Sequence, residues 1–233
     1  MNIHHKQIVT EYWEAAYSGE NKVNNFLVQD RATRLTCELI GIAREEDTPH
    51  PATLVVGIGA RVNDYYAIKT AVGGNVVAID MSDNLIKNMA MYKVPVYAID
   101  ITSDKVVLKD QKGQPVSFDY IMARWVLHAI PADRLENAIN NLVQLARPAG
   151  TILVEYRSVS DEHKKGSKIE ETTCGEVWID MSEGKLHYRH YLYADKVIKL
   201  FVEKGAKEVS TEVGNFSKLG DNDPLLVRQI FTV

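Results

Sequence analysis

The chain has 233 residues, 45% of them hydrophobic, and its 27 Lys and Arg against 31 Asp and Glu give a formal net charge of -4. That length and apolar content suit one sizeable domain, alone or with a small cap, and the acidic balance argues against the clustered basic surface of a nucleic-acid binder. With two distant cysteines, Cys37 and Cys174, no signal peptide and no long apolar run, the composition argues against a disulfide scaffold, a zinc site and a membrane span, so a cytoplasmic setting is expected.

In chain order, residues 1–45 read as helical, with Tyr12, Trp13 and Tyr17 grouped on 3–17 and apolar residues at helical spacing over 24–42. Asp47, Pro49 and Pro51 then break the chain. Residues 53–58 form a short β-rich run, and 62–72 a helix stopped by Gly73 and Gly74. A second strand over 76–79 ends at Asp80, Ser82 caps the following helix, and a third strand over 94–99 ends at Asp100. A polar connector with Gly113 and Pro115 reads as a hairpin and leads to a fourth strand at 120–123. Pro131 opens a helix with Leu135, Ile139, Leu142 and Leu145 on one face, and a fifth strand follows at 151–154. Residues 194–204 form a helix with Val197, Ile198, Phe201 and Val202 inward, stopped by Gly205, and 209–213 and 225–233 close the chain as strands.

Alternating strands and helices at this spacing predict a parallel sheet covered on both faces, with ligands beyond the carboxyl ends of the strands. Gly57, Asp80, Asp100 and Arg124 end successive strands and should share one rim. Gly57 and Gly59 let the backbone pass close to a ligand, and a carboxylate at Asp80 can accept from both hydroxyls of a ribose. A dinucleotide dehydrogenase and a methyltransferase fit these residues equally. Three features separate them. Val62 stands where a dinucleotide site has its third glycine. Asp100 and the backbone N–H of Ile101 make an acceptor–donor pair that suits an adenine edge, and the short final link favours an antiparallel closing hairpin.

In these residues, about 50–233 of the chain resembles class I S-adenosylmethionine-dependent methyltransferases. VVGIGA is similar to the first motif, VVAIDMS (76–82) to the second, VYAIDIT (96–102) to the third, FDYIMARWVLHAIP (118–131) to the fourth, and LARPAGTILVEY (145–156) to the helix–turn–strand after it. The resemblance implies an α/β, Rossmann-like, seven-stranded sheet of order 3-2-1-4-5-7-6, strand 7 antiparallel. It implies S-adenosyl-L-methionine as cofactor, held by Gly57, Gly59, Asp80, Met81, Asp100 and Ile101. Two departures stand out. Val55 replaces a frequent acid and Arg61 a usual glycine. Arg61 then either grips the cofactor carboxylate or faces solvent in the first helical turn.

Transfer from a sulfonium is an in-line displacement of an already activated group, so position and environment matter more than a triad or a metal. Arg124 is expected to hold the cofactor side or an anionic acceptor, and His128 to act as base or orienting donor. The alternatives are an Arg124 paired with a structural acid and a His128 that caps or packs. Tyr156, Arg157 and Arg189 are expected on the acceptor side. Tyr12, Trp13 and Tyr17 are expected in a lid formed by 1–45 over a domain at 46–233, with an acceptor cap inserted at about 158–192. His187 and His190 fit β-alternation better than a metal site. The expected function is methylation of a small polar acceptor, anionic ones included, at oxygen or nitrogen, by a monomer or homodimer. The rivals are a nicotinamide-dependent oxidoreductase and a non-catalytic module that binds S-adenosylmethionine.

Overall fold

The computed structural model describes residues 2–18, 36–38, 51–59, 61–73, 76–182, 185–215 and 224–233. The helix expected over 24–42 lies outside these residues except at 36–38, which is helical, and the break at Asp47 and Pro49 lies outside them altogether.

Thr53–Val56 (β1) is a four-residue apolar run buried on both faces, as a central parallel strand requires. Val62–Val72 (α2), Val76–Asp80 (β2), Asp83–Met91 (α3), Val96–Ala98 (β3), Phe118–Arg124 (β4), Leu135–Leu145 (α4) and Ala146–Arg157 (β5) follow Asn2–Ala16 (α1) and β1. Strand alternation splits the core in two. Leu54 and Val56 pack with Ile121, Leu142 and Phe201 on one side of the sheet. Val55 packs with Ile68, Leu85, Met122 and Leu153 on the other.

After β5 the chain makes a separate antiparallel sheet from Ser167–Thr172 (β6), Gly175–Ser182 (β7) and Lys185–Leu192 (β8). Ala194–Glu203 (α5), Lys207–Gly214 (β9) and Leu226–Thr232 (β10) complete the main sheet, whose order is β3-β2-β1-β4-β5-β10-β9. β10 is antiparallel to both neighbours. With the inserted β6–β8 left out of the count, β9 and β10 are the expected sixth and seventh strands.

Local signals acted as expected at several ends. Ser82 Oγ accepts from Leu85 N–H at 3.2 Å, and Gly73 closes α2 with φ 79°. Lys109 and Pro115 bridge antiparallel, so the polar connector does turn back on itself. Other ends differ. β3 starts later because Val94 N–H is spent on Met89 O, closing α3. β5 runs from Ala146, and a 3-10 turn at Ala132–Arg134 separates Pro131 from α4. Val202 is 51% exposed rather than inward, because Val197 and Phe201 alone lie on the buried stripe of α5.

Candidate active site

β1 ends at Gly57, whose N–H donates to Ile79 O at 2.9 Å, so the turn is pinned to the end of β2. Gly57 has φ 59°, and a Cβ there would lie 2.4 Å from Val126 Cγ2; this turn has no room for another residue. Gly59 has φ 56° and gives its N–H to Asp80 Oδ2 at 3.2 Å. Asp80 Oδ1 accepts from Ser82 N–H at 3.1 Å. The Asp80 carboxylate is buried, and burial raises its pKa despite these backbone donors. Each of its oxygens has a lone pair beyond the bond it accepts. Met81 follows, half-buried, at the same rim.

Asp100 ends the next crossover. Its Oδ1 accepts from Thr102 N–H at 2.9 Å and Thr102 Oγ1 at 2.7 Å, and its Oδ2 meets Lys6 Nζ at 3.0 Å. Burial opposes ionisation there, but the Thr102 bonds and Lys6 outweigh it and hold the carboxyl below its ordinary range. Ile101 is buried beside it.

Helix α1 lies along this rim. Glu14 Oε1 and Oε2 accept from Asp83 and Asn84 N–H at 2.8 and 3.2 Å, so a side chain of α1 caps the N-terminus of α3. Asn88 Nδ2 donates to Tyr17 O at 2.9 Å. The Tyr17 hydroxyl sits 3.2 Å from where a Gly59 Cβ would be, and burial raises its pKa. Trp13 stacks on Tyr17 at 5.9 Å, and Tyr12 stacks on His187 of β8 at 3.7 Å. The three aromatics thus divide between the glycine turn and the inserted sheet.

Arg124 does not reach out to a ligand. Its Nε donates to Glu155 Oε1 at 3.0 Å and its Nη1 to Asp64 Oδ2 at 3.1 Å. Arg124 faces Glu155 in register, Glu155 faces Arg228, and Arg228 faces Glu212. Four strands therefore carry one row of alternating charge, with Arg228 bonded to both acids. The structural alternative for Arg124 is the observed one. Arg61 is likewise committed: Nη2 donates to Gly57 O and Arg124 O, each at 3.3 Å, and Nε lies 3.3 Å from Asp64. It braces the turn, where the expectation had it either gripping the cofactor carboxylate or facing solvent.

Trp125 follows at φ 60°, a left-handed conformation that costs a non-glycine residue energy. Its N–H donates to Glu155 O at 2.7 Å and its Nε1 to Glu155 Oε1 at 2.9 Å. The ring lies 5.8 Å from the Arg124 guanidinium and 5.6 Å from that of Arg157. His128 is 1% exposed, its Nδ1 has no hydrogen-bond partner among the described residues, and burial with four cationic or imidazole neighbours pushes its pKa well down. The lowered pKa favours the neutral imidazole, an uncharged group that can donate from one ring nitrogen and accept at the other.

Tyr156 also departs from expectation. It is fully buried in the core and donates to Gln229 Oε1 at 2.7 Å. Alternation along β5 sends Glu155 and Arg157 to the opposite face. Arg157 meets Asp161 at 3.4 Å, and burial and the nearby charge of Arg157 pull Arg189 down to about 10. His187 and His190 are three apart on a strand and so point to opposite faces. Sequence reasoning passed over Glu14, Lys6 and Asp64, whose partners Asp83, Asp100 and Arg124 lie 60 to 94 residues away.

Residues 54–154 match the family model described as a methyltransferase domain. No curated protein sequence matches the chain. Among solved structures, the chain is similar to the 1,6-didemethyltoxoflavin-N1-methyltransferase of Burkholderia thailandensis, solved with 1,6-didemethyltoxoflavin and S-adenosylhomocysteine. The TM-score is 0.63 at 12% identity, covering 100% of this chain and 90% of that one. It is also similar to the N-methyltransferase NodS of Bradyrhizobium japonicum WM9 in complex with S-adenosylhomocysteine, with TM-score 0.57, 15% identity and coverage of 97% and 98%. The CcbJ methyltransferase of Streptomyces caelestis gives 0.60 at 11% identity, covering 94% and 98%. At these identities the likeness establishes the fold.

Proposed function

From the premise that residues 54–154 form a methyltransferase domain within a class I S-adenosylmethionine-dependent methyltransferase fold, we propose that this enzyme methylates a small polar acceptor, anionic ones included, at oxygen or nitrogen. The observation that carries the reading is one rim holding the Gly57–Gly59 turn, the Asp80 carboxylate and the Asp100–Ile101 pair. These residues fit an adenosine group. The turn at Gly57 and Gly59 has no side chains to bar close approach, Asp80 keeps lone pairs for two ribose hydroxyls, and Ile101 with Asp100 offers a donor and an acceptor to the adenine edge. Two similar structures were solved with S-adenosylhomocysteine, which supports the same cofactor here.

Bound S-adenosylmethionine supplies an activated methyl group on a sulfonium. The chain's own residues supply the rest. Met81 and Ile101 would hold the adenine, Arg61 and the Arg124–Asp64 pair fix the turn, and α1 with Tyr12, Trp13 and Tyr17 would cover the site and exclude water. His128 orients the acceptor as a neutral group, and Arg157 and Arg189 lie on the acceptor side beneath the sheet β6–β8. The 1,6-didemethyltoxoflavin bound in the similar Burkholderia thailandensis enzyme supports a small-molecule acceptor here. Cys37 and Cys174 are free thiols, which suits a cytoplasmic monomer or homodimer. Among the described residues no helix is long and apolar enough to cross a membrane.

Calorimetric titration with S-adenosylhomocysteine and, separately, with NAD tests the reading. The first should bind and the second should not, and Asp80→Asn should weaken S-adenosylhomocysteine about tenfold or more through the lost charge-assisted ribose bonds. Binding of NAD alone would reject it. Radiolabelled methyl transfer to a panel of carboxylates, amines and phenols then identifies the acceptor; binding without turnover across all of them would favour a non-catalytic module.

A further inference from the structure

Beneath the inserted sheet, two guanidinia come together near Trp125. Arg157 and Arg189 act on one another, on His128 and on His187, and Lys165 adds a third cation beside His187. Two acids face them. Asp161 meets one arm of Arg157 at 3.4 Å, and Asp180 lies 3.6 Å from His187 Nδ1. Arg157 Nε and Arg189 Nη1 are buried guanidinium nitrogens with no hydrogen-bond partner among the described residues, and His128 Nδ1 is likewise unpartnered. Buried donors are paired in nearly all folded proteins, so these nitrogens suit a ligand that accepts from them.

The surroundings are planar and aromatic. Trp125 lies 5.6 Å from the Arg157 guanidinium, and Tyr12 stacks on His187 with ring planes 9° apart. A flat carboxylate matches this set, because guanidinium forks pair with carboxylates through two parallel bonds. Resting on the methyltransferase reading, we propose that Arg157 and Arg189 form the recognition site for a carboxylate carried by the methyl acceptor. This narrows the acceptor from small polar molecules to carboxylic acids and makes the two arginines its specificity determinants.

The test titrates the full chain, loaded with S-adenosylhomocysteine, with benzoate, benzamide and inorganic phosphate. Benzoate should bind, with benzamide and phosphate at least about tenfold weaker. Arg157→Met and Arg189→Met should each weaken benzoate about tenfold or more while S-adenosylhomocysteine affinity stays within about twofold. Equal benzoate affinity in Arg189→Met, or tighter binding of phosphate than of benzoate, overturns the assignment while leaving the methyltransferase reading intact. Failure of the wild-type chain to take up S-adenosylhomocysteine overturns both. Should the methionine variants not fold, wild-type crystals soaked in 4-bromobenzoate give the same decision. Anomalous bromine signal with the carboxylate between the two guanidinia supports the site, and its absence there overturns it.

Discussion

Glu155 touches more of this site than any residue that the motifs single out. It takes Arg124 Nε and Trp125 Nε1 on one oxygen and Arg228 on the other, and it is 2% exposed. Removing its charge leaves two guanidinia flanking a neutral side chain on β5, each with only its other acid, Asp64 or Glu212. Glu155→Gln should therefore destabilise the fold by about 3–5 kcal/mol, read as a lowered urea midpoint. A change below about 1 kcal/mol would mean that the row contributes little. Gly57→Ala sets a methyl against Val126 Cγ2 at a positive φ, so a loss of about 1–3 kcal/mol and weaker S-adenosylhomocysteine binding are expected from the same denaturation and titration experiments. Gly57, Asp80 and Asp100 could be read from the sequence because each directly ends a strand. The commitment of Arg124 could not, because its acids lie 60 and 31 residues away and only strand register brings them to it.

At the scale of elements, α1 and α3 form a unit. Glu14 supplies the cap acceptors for the first turn of α3, and Lys6 of the same helix pairs with Asp100. The aromatic stripe on α1 was visible in the sequence, as was the Ser82 cap of α3. The second cap, delivered from another helix, was not. Glu14→Ala should expose the amides of Asp83 and Asn84, raising their hydrogen-exchange rates, and cost about 0.5–2 kcal/mol. If those amides stay protected, the latch between α1 and α3 is not what orders this rim. The sheet β6–β8 is the element whose form was least legible: an insert was evident from its position, but its antiparallel pairing depends on register across 167–192.

Across the whole molecule, acid should unfold the sheet β6–β8 first. Burial and the charges of Arg189, Arg157 and Lys165 take His187 down to about 3, and burial takes His190 down to about 4, against an ordinary 6.5. The unfolded chain takes up these protons near pH 6.5 and the folded chain does not, so the stability is complete above that pH and is lost as pH falls towards 4 and 3. Glu176 adds to this lower down. Burial works against its ionisation, but hydrogen bonds from Lys164, Trp178 and Lys168 hold it at about 2, so its contribution disappears between 4.5 and 2. The urea midpoint at pH 5 should lie below that at pH 7, and His187→Gln should flatten the difference. Equal midpoints in the wild type would show that these imidazoles do not stay neutral in the fold.

The succession of strands and helices, the glycine turn and the two aspartates at the rim could be read from the chain alone, since hydrophobic runs, caps and strand-end residues are properties of neighbours in sequence; the spatial order of the strands came only from the family resemblance. Which arginines pair with acids was decided only by folding. Arg124 found Glu155 on the neighbouring strand and Asp64 on α2 and became structural, whereas Arg189, unremarkable in its strand, keeps a buried guanidinium nitrogen that no described residue satisfies. Charge pairing depends on distance in space, and a linear sequence carries that distance only through the register and crossovers that the finished sheet imposes.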